Sequence, residues 1–462
     1  EFFINQIYNE METIFGNKPE TQIFKTKELE KVVNHVLLGT RLDIVGESSN
    51  AYEVDARGRG KSGWVKKEDI CDSPILKIFF VDVGQGDGAI IESPEGIILV
   101  DGGSSNKFYK FLLYRYRRIL KDEGKVNIKA IVMSHPDWDH FNGLTSVIND
   151  HRFHIGHIYH NGIIRYGEKP SGRNTKMGRT TKRIINGKTK TILTETYNTL
   201  EDAKRLVNGG FLMSSFEKFW QGAIDAKEQG RLKGAKCLTI HENTIEGYGT
   251  SDNKGLRIEV LGPVPVGDKN DTVEYLTFPE AEDIVKNNPS PSDSHTINGH
   301  SIILKFNYGE HSILLGGDLN IPAELHLLDY YGDKNPFRVD VAKACHHGSS
   351  DYLVDYLKQV KPMVNVVSSG DNKTFDHPMS DAVGSSCRHT RGDHPLFFST
   401  ELARANSSSG THYGLINLRS NGKILTMAQM KEQHNKPDVW DSYTVPWKGK
   451  FYHEIKEYKK NN

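Results

Sequence analysis

The chain of 462 residues contains few cysteines. The four present, Cys71, Cys237, Cys345 and Cys387, lie far apart and form no C-x-x-C pair. This spacing argues against a disulfide framework and against a cysteine-rich zinc site.

The sequence also lacks an excess of charge of either sign and a long apolar run. Lys+Arg and Asp+Glu both number 59, so any basic surface for nucleic acid must be local. No run approaches the ~18 apolar residues of a membrane span. No signal peptide is recognisable, and we therefore expect a cytoplasmic protein without membrane contact. A hydrophobic content of 37% and a charged content of 26% are typical of soluble globular proteins.

The pattern along the chain predicts several parts. Residues 1–20 have apolar side chains near helical spacing and predict a short helix. Residues 21–72 contain short apolar runs between Gly, Ser and Asn turns, which predicts a small all-β barrel. Residues 73–424 alternate strands and helices, which indicates a layered α/β domain. A basic and helical insert is expected at about 160–254, and the tail 425–462 is expected to pack on the domain.

The stretch SHPDWDHFNG, residues 134–143, places two histidines and two aspartates directly after a predicted buried strand. In an extended segment, residues i and i+2 project to the same side, so His135 and Asp137 can bind one ion together. Asp139 and His140 follow after the chain turns and can bind a second ion.

Further ligand-type residues end other apolar runs. Asp318 ends SILLGGD, His346 and His347 end RVDVAKACHH, and His377 lies in KTFDHP after another predicted strand. Strand ends that deliver such residues in order predict a shared metal centre at one sheet edge, with Asp318 placed to bridge two ions. Asp137 stands where zinc hydrolases with this spacing carry a histidine. The added carboxylate favours two Mn²⁺ ions, with Zn²⁺ or Mg²⁺ as alternatives.

The segments FFVDVGQGDGAII, IILVDGG, SHPDWDHFNGL, ILLGGD and ACHHGSS together resemble the metallo-β-lactamase fold. They are most similar to the C-terminal metallo-β-lactamase (nuclease) domain of the bacterial competence DNA-uptake channel. The resemblance implies an αββα sandwich with the metals at one edge. Residues 21–72 resemble a bacterial Src-homology-3-type barrel, which would offer a surface to a protein partner.

The resemblance also implies roles for individual residues. His135 and Asp137 would bind the first ion, Asp139 and His140 the second, and Asp318 would bridge them. Asp139 would also take part directly in catalysis.

The remaining implied roles are less specific. One of His346 and His347 would ligate or face the phosphate; His347 is favoured as ligand and catalytic residue, with His346 toward the substrate. His377 would be a late ligand or a general acid. Asn298, near the position of the usual third histidine, would also face the substrate. The glycines of DVGQGDG predict a tight turn, with a contact of Gln85 or Asp87 to the site as the less favoured alternative.

The insert adds a local basic patch. Residues 165–190 hold nine Lys or Arg and one acid, Glu168, a net charge of +8 (nine minus one). Such a patch predicts salt-sensitive phosphate contacts, here assigned to Lys176, Arg179, Lys182 and Arg183. With the resemblance, this favours a metal-dependent nuclease that cleaves DNA, single strands in particular, by a metal-bound hydroxide, with bacterial antiphage defence as its context. The alternatives are a small-molecule or cell-wall phosphodiesterase of the phosphorylcholine-esterase type and a non-enzymatic binding module.

Overall fold

The computed structural model describes residues 12–57, 60–169, 171–249, 255–267, 273–286, 290–370, 375–392, 394–401, 415–430 and 440–445. The N-terminal part forms one seven-stranded sheet in the spatial order β3-β2-β6-β5-β4-β1-β7. Its strands are β1 (Thr13–Gly16), β2 (Glu20–Phe24), β3 (Val32–Leu37), β4 (Arg41–Glu47), β5 (Ala51–Asp55), β6 (Gly63–Lys66) and β7 (Ile70–Cys71). Ile14, Ile23 and Leu42 belong to a small core of its own. The predicted all-β character is confirmed, whereas kinship with Src-homology-3 barrels and a protein partner stay predictions.

The helix predicted over residues 1–20 is wrong in its described part. Residues 12–20 contain β1 and the start of β2, and residues 1–11 lie outside the described residues. Ile14 is 2% exposed and lies opposite Leu42 in an antiparallel pair with β4. Pairing with two neighbouring strands buries this segment, and that tertiary gain outweighs the helical spacing of its apolar residues.

The C-terminal part contains eighteen described strands and nine described α-helices. The strands are β8 (Leu76–Phe80), β9 (Ala89–Ser93), β10 (Gly96–Val100), β11 (Val126–Val132), β12 (Phe153–His160), β13 (Thr180–Ile185), β14 (Lys188–Leu193), β15 (Leu232–Cys237), β16 (Arg257–Gly262), β17 (Tyr275–Leu276), β18 (Ile303–Tyr308), β19 (His311–Leu315), β20 (Val341–Lys343), β21 (Val364–Val367), β22 (Leu396–Ser399), β23 (Ile416–Ser420), β24 (Leu425–Met430) and β25 (Trp440–Val445). The helices are α1 (Lys107–Arg115), α2 (Arg117–Glu123), α3 (Trp138–Asn149), α4 (Leu200–Gly209), α5 (Ser214–Glu228), α6 (Asp293–Gly299), α7 (Ile321–Tyr331), α8 (Val354–Val360) and α9 (Ser380–Arg388).

These elements form an αββα sandwich, as predicted. A nine-stranded sheet runs β15-β12-β11-β10-β9-β8-β23-β24-β25, and a six-stranded sheet runs β16-β18-β19-β20-β21-β22. Successive strand residues point to opposite faces, so Phe79 packs toward α1, α3 and α5, while Phe80 packs toward the second sheet. The outer face of the second sheet packs on α7 and α8. No helix among the described residues is both long and apolar enough to cross a lipid bilayer.

The helical half of the predicted insert is part of this sandwich. β15 pairs in parallel with β12 and so extends the first sheet. Phe216, Phe219 and Trp220 of α5 are fully buried in the same core as Phe141 of α3. Among the described residues of the predicted insert, the β13–β14 hairpin, which pairs with β17, forms a separate sheet. In the tail, β24 and β25 continue the nine-stranded sheet.

A buried carboxyl group on α7 gives a stability prediction. Glu324 is 1% exposed, and its Oε2 accepts a hydrogen bond of 2.5 Å from the Leu353 backbone N–H. Burial raises the pKa of Glu324 to about 8. The unfolded carboxyl has a pKa of ~4.3, so this group's contribution to stability is complete below that pH and falls by up to ~1.4 kcal/mol per pH unit up to the folded pKa.

Glu324→Gln keeps the acceptor oxygen and removes the titration. We expect the melting temperature of the variant, relative to the parent protein, to rise between about pH 5 and about pH 8. Differential scanning calorimetry at both pH values measures it. If the difference in melting temperature between the variant and the parent protein is the same at both pH values, the raised pKa of Glu324 is contradicted.

Candidate metal centre

The residues of the SHPDWDHFNG motif, 134–143, lie at the carboxyl end of β11. His135 and Asp137 occupy the short loop between β11 and α3, and Asp139 and His140 belong to the first turn of α3. β10, β11 and β12 run in parallel, so this loop emerges at one edge of the sheet. The Ser134 carbonyl accepts a hydrogen bond of 2.9 Å from Ile302 N–H, which joins this edge to the start of β18 in the second sheet.

The second sheet supplies its ligand-type residues at the same edge. Asp318 follows β19, and His346 and His347 follow β20, which runs parallel to β19. The two loops are joined by a hydrogen bond of 3.2 Å from His346 N–H to the Gly317 carbonyl. His346 and His347 have φ values of 48° and 54°, in the left-handed region that L side chains rarely adopt. The tight turn directs both rings to the sheet edge at a cost in backbone strain.

A buried cluster of ligand-type atoms forms where the two edges meet. Its members, whose ligand-type atoms all lie within 4.8 Å of one another, are Asp87, His140, Asp318 and His347. Asp318 Oδ2 lies 3.2 Å from His140 Nε2 and 3.0 Å from His347 Nε2, and the two Nε2 atoms are 3.3 Å apart. Atoms that each bind one ion at ~2.0–2.1 Å have separations of this size. The donor set therefore fits a divalent cation.

Hydrogen bonds fix the orientation of both rings. His347 Nδ1 lies 2.9 Å from the Ser368 carbonyl, which can only accept, so Nδ1 carries the proton. His140 Nδ1 lies 2.9 Å from Asp101 Oδ2, and the carboxylate accepts in the same way. Each ring thus presents Nε2 to Asp318, as metal-binding histidines do when an outer group holds the other nitrogen.

The charges of the cluster favour a cation at the same place. Burial alone would lower the pKa of His347, but Asp318 and Asp87 outweigh it and raise the pKa to about 10. Burial likewise opposes protonation of His140, yet Asp318 and Asp101 raise its pKa. A field that strengthens proton binding at Nε2 also favours a divalent ion there.

His135 also has one ring nitrogen that is available to an ion, because its other ring nitrogen, Nδ1, is held by two hydroxyl groups. Its Nδ1 lies 3.0 Å from Ser134 Oγ and 3.2 Å from Ser301 Oγ. Ser134 donates its hydroxyl proton to Asp101 at 2.7 Å, and Ser301 donates to the Asn298 carbonyl at 2.7 Å. Both hydroxyls must therefore accept from His135 Nδ1–H. His135 Nε2 is buried without a hydrogen-bond partner among the described residues and lies 4.0 Å from Asp137 Oδ2.

The two acidic residues that flank Trp138 have different surroundings. Asp137 Oδ1 lies 3.2 Å from Arg165 Nη2, and burial raises the pKa of Asp137 to about 6 against the opposing charge of that arginine. Asp139 Oδ2 lies 3.6 Å from His347 Nε2 and accepts from Gln85 Nε2 at 3.4 Å. Asp139 thus faces the buried cluster, while Asp137 faces His135 and Arg165.

For Asp87 the structure favours the second of the two alternatives that the sequence leaves open, a contact with the site in addition to a place in the turn. Its Oδ1 lies 3.3 Å from His347 Nδ1, and its Oδ2 forms a short ion pair with Lys343. Lys343 is 4% exposed and also lies 3.7 Å from Asp318 Oδ1. The turn still needs its glycines: Gly86 has φ of 108°, and a Cβ there would meet the Asp139 carbonyl oxygen at 1.8 Å. This close approach brings the turn against the motif.

The other predicted site residues are placed as follows. The His377 ring centre lies 5.8 Å from that of His346 and 6.1 Å from that of His347. Burial, with the charge of His347, lowers the pKa of His377 to about 4. Asn298 of α6 is 6% exposed, and its Oδ1 is buried without a hydrogen-bond partner among the described residues. His377 thus lies beside His346 and His347. The roles of His346, His377 and Asn298 toward the substrate stay predictions.

The four predicted basic contacts lie on or beside the β13–β14 hairpin. Lys182 and Arg183 belong to β13, and Arg179 immediately precedes it. Arg183 forms two hydrogen bonds with Glu274, of 2.5 and 2.7 Å, so its charge is partly neutralised. The Lys176 backbone N–H donates to Asp293 Oδ2 at 2.8 Å, which ties the hairpin base to α6.

Part of the chain is similar to known proteins. Residues 81–198 match the family model described as "Metallo-beta-lactamase superfamily". A stretch of 103 residues is 27% identical to ComE operon protein 3 of Bacillus subtilis (strain 168). This stretch is 22% of this chain and 13% of that protein. The chain thus matches only a small part of the length of this relative.

Among solved structures, a long form RNase Z from yeast aligns over 70% of this chain and 40% of its own, with 10% identity and a TM-score of 0.33. A diphosphatase from the PhnP family aligns over 75% of this chain and 99% of its own, with 11% identity and a TM-score of 0.30. Both scores are low and carry no argument. The similarity to the superfamily is therefore limited to the matched segment 81–198, which contains the SHPDWDHFNG motif.

Proposed function

We propose that this hydrolase-type centre is that of a metal-dependent phosphodiesterase, and specifically of a nuclease that cleaves DNA, with single strands favoured. The observation that carries the proposal is the arrangement of Asp318 between two imidazoles whose Nδ1 atoms are held by outer acceptors. Such a set is built to bind cations, and the basic hairpin lies in the same domain.

Two positions would hold the ions. His140, His347 and Asp139 would hold one ion at the second position, and His135 and Asp137 the other at the first position. Asp318 would bridge them. A divalent ion bound there supplies a Lewis acid for the phosphoryl oxygens and lowers the pKa of a bound water. Carboxylates in place of further imidazoles favour Mn²⁺.

The chain's own residues orient these groups and keep their charges balanced. Lys343 pairs with Asp87 and, in the low-dielectric interior, offsets part of the carboxylate charge. His377 is neutral near pH 7, because its pKa is lowered to about 4. It is therefore better suited to donate a hydrogen bond to a substrate oxygen, or to ligate, than to act as a general acid.

A substrate and metal panel tests the function. The metal-free protein is incubated with labelled single- and double-stranded DNA, RNA and bis-p-nitrophenyl phosphate, with Mn²⁺, Mg²⁺, Zn²⁺ or EDTA. We expect cleavage of single-stranded DNA with Mn²⁺, loss of cleavage in EDTA and its return with excess Mn²⁺. Cleavage of the small ester alone would instead identify a small-molecule phosphodiesterase. No turnover of any substrate would indicate a binding module, and activity with Zn²⁺ alone would overturn the manganese preference.

The basic hairpin gives a separate prediction. Arg179→Glu with Lys182→Glu should weaken single-stranded DNA binding and make the slope of log K against log salt less steep by about 1.4, since each phosphate contact contributes ~0.7. Fluorescence anisotropy at several salt concentrations measures the slope, and hydrolysis of bis-p-nitrophenyl phosphate should not change. Lys25→Glu with Lys27→Glu, exposed between β2 and β3, is the matched control. Equal slopes in the two double variants would exclude the hairpin as the DNA contact.

A further inference from the structure

Arg165 is placed by the segment that leads from β12 to the β13–β14 hairpin. Its carbonyl accepts a hydrogen bond of 2.9 Å from the Met213 N–H, next to the start of α5, so its backbone is tied to the core of the sandwich. Its side chain is 24% exposed and turns toward the motif loop, where Nη2 lies 3.2 Å from Asp137 Oδ1. The arginine therefore stands at the rim of the centre with its charge against a proposed ligand.

The two proposed metal positions differ in what surrounds their carboxylates. At the second position, two imidazole Nε2 atoms and Asp318 Oδ2 converge to within 3.3 Å of one another. At the first position, His135 Nε2 and Asp137 Oδ2 are 4.0 Å apart, and the other oxygen of Asp137 faces the guanidinium. A guanidinium in contact with a carboxylate reduces the negative potential that this carboxylate offers to a cation.

We propose that Arg165 is a positioning residue that holds Asp137 and competes with the ion at the first position. The protein then binds one divalent ion tightly at the second position and another more weakly at the first. The inference rests on the proposed metal centre and adds to it the order in which the two positions fill. The Arg165 guanidinium is charged, partly exposed and able to form two parallel hydrogen bonds to an anion. A phosphodiester anion at the rim is therefore the chemical group that can draw it away from Asp137.

Isothermal titration of the metal-free protein with Mn²⁺ tests this without any measurement of hydrolysis. The parent protein should bind one ion tightly and a second at least roughly tenfold more weakly. Arg165→Gln should raise the Mn²⁺ affinity of the weak site by roughly tenfold and leave that of the tight site unchanged. Arg165→Lys keeps the charge but not the planar pair of donors, so its weak-site affinity should lie between those of the parent protein and Arg165→Gln. Mn²⁺ electron paramagnetic resonance distinguishes one bound ion from a coupled pair.

Arg173→Gln is the matched control, because Arg173 lies in the same segment, has a similar exposure of 22% and pairs with Glu195 rather than with a proposed ligand. It should leave both sites unchanged. Two equal sites in the parent protein, or a weak site that does not respond to Arg165→Gln in a protein with a normal circular dichroism spectrum and melting temperature, would overturn the role of Arg165. No Mn²⁺ binding in any variant would overturn the metal centre itself.

Discussion

Asp318→Asn is expected to lower the rate of phosphodiester hydrolysis by roughly 10³-fold or more at saturating substrate, because this side chain links both halves of the centre. Its Oδ2 lies 3.2 Å from His140 Nε2 and 3.0 Å from His347 Nε2, and it is proposed to bridge the two ions. Asparagine keeps the shape and removes the charge. Loss of the charge stabilisation that metal binding supplies is worth several kcal/mol, and each ~1.4 kcal/mol is tenfold in rate.

Initial rates with single-stranded DNA and with bis-p-nitrophenyl phosphate, both with excess Mn²⁺, measure the effect. Asp340→Asn is the matched control, since Asp340 is a buried carboxylate beside the same sheet that accepts from Ser312 and pairs with Arg391. Asp340→Asn should lower the melting temperature and leave the rate per folded molecule within a few-fold of that of the parent protein. A rate for Asp318→Asn within tenfold of the parent protein would show that Asp318 is not part of the reacting centre.

The part of the centre that could be predicted from sequence follows from strand direction. β10, β11 and β12 are parallel, and so are β19, β20 and β21. The carboxyl ends of parallel strands meet at one edge of their sheet, so the residues that follow β19 and β20 lie together. The residues that follow β11 belong to the other sheet, and the hydrogen bond from Ile302 N–H to the Ser134 carbonyl joins the two edges. The SHPDWDHFNG motif, Asp318 and the His346–His347 pair are all of this kind. The structure brings His140, Asp318 and His347 together, and the ligand roles stay predictions.

The residues that the sequence patterns do not identify contact their partners from segments that are remote in sequence. Arg165 reaches Asp137 because its backbone is tied to α5, and no local pattern encodes that contact. Lys343 gave a weak signal, since a lysine within the apolar run DVAKAC needs a buried partner, but that partner, Asp87, is remote in sequence. Asp101 ends the strand pattern IILVD and could have been counted among the strand ends.

The errors in the fold have an equally specific origin. The spacing of apolar residues in 1–20 fits a helix, and only pairing with β4 and β7 shows that the described part is a strand. α5 could have been assigned to the core, because Phe216, Phe219, Trp220 and Ala223 follow the spacing of a buried helix face. The preceding hairpin is basic, and for that reason the sequence predicts a single insert for the whole region.

Asp101→Asn is expected to weaken Mn²⁺ binding by roughly 10- to 100-fold although Asp101 is not a proposed ligand. Its Oδ2 lies 2.9 Å from His140 Nδ1 and accepts from Ser134 Oγ at 2.7 Å, and its Oδ1 accepts from Ser134 N–H at 2.8 Å. The backbone has φ of 57°, which asparagine tolerates, so the substitution changes hydrogen bonding and charge and not the chain path.

An amide cannot accept at both positions of the carboxylate. If its NH₂ group takes the place of Oδ2, His140 Nδ1 must accept. The His140 ring then carries its proton on Nε2, where an ion is proposed to bind, so the substitution reverses the tautomer of His140. His135 Nδ1–H still has Ser301 Oγ as an acceptor. If the NH₂ group instead takes the place of Oδ1, it meets Ser134 N–H, and two buried donors lose their partners.

Titration of metal-free Asp101→Asn with Mn²⁺ measures the loss, and Ser134→Ala separates the two rings. Without the hydroxyl, His140 keeps its bond to Asp101, and His135 keeps Ser301 Oγ as an acceptor at 3.2 Å. Ser134→Ala should therefore weaken Mn²⁺ binding less than Asp101→Asn does. If Asp101→Asn binds Mn²⁺ as tightly as the parent protein, the tautomer of His140 is not held by this carboxylate, and the hydrogen-bond argument for Nε2 of His140 fails with it.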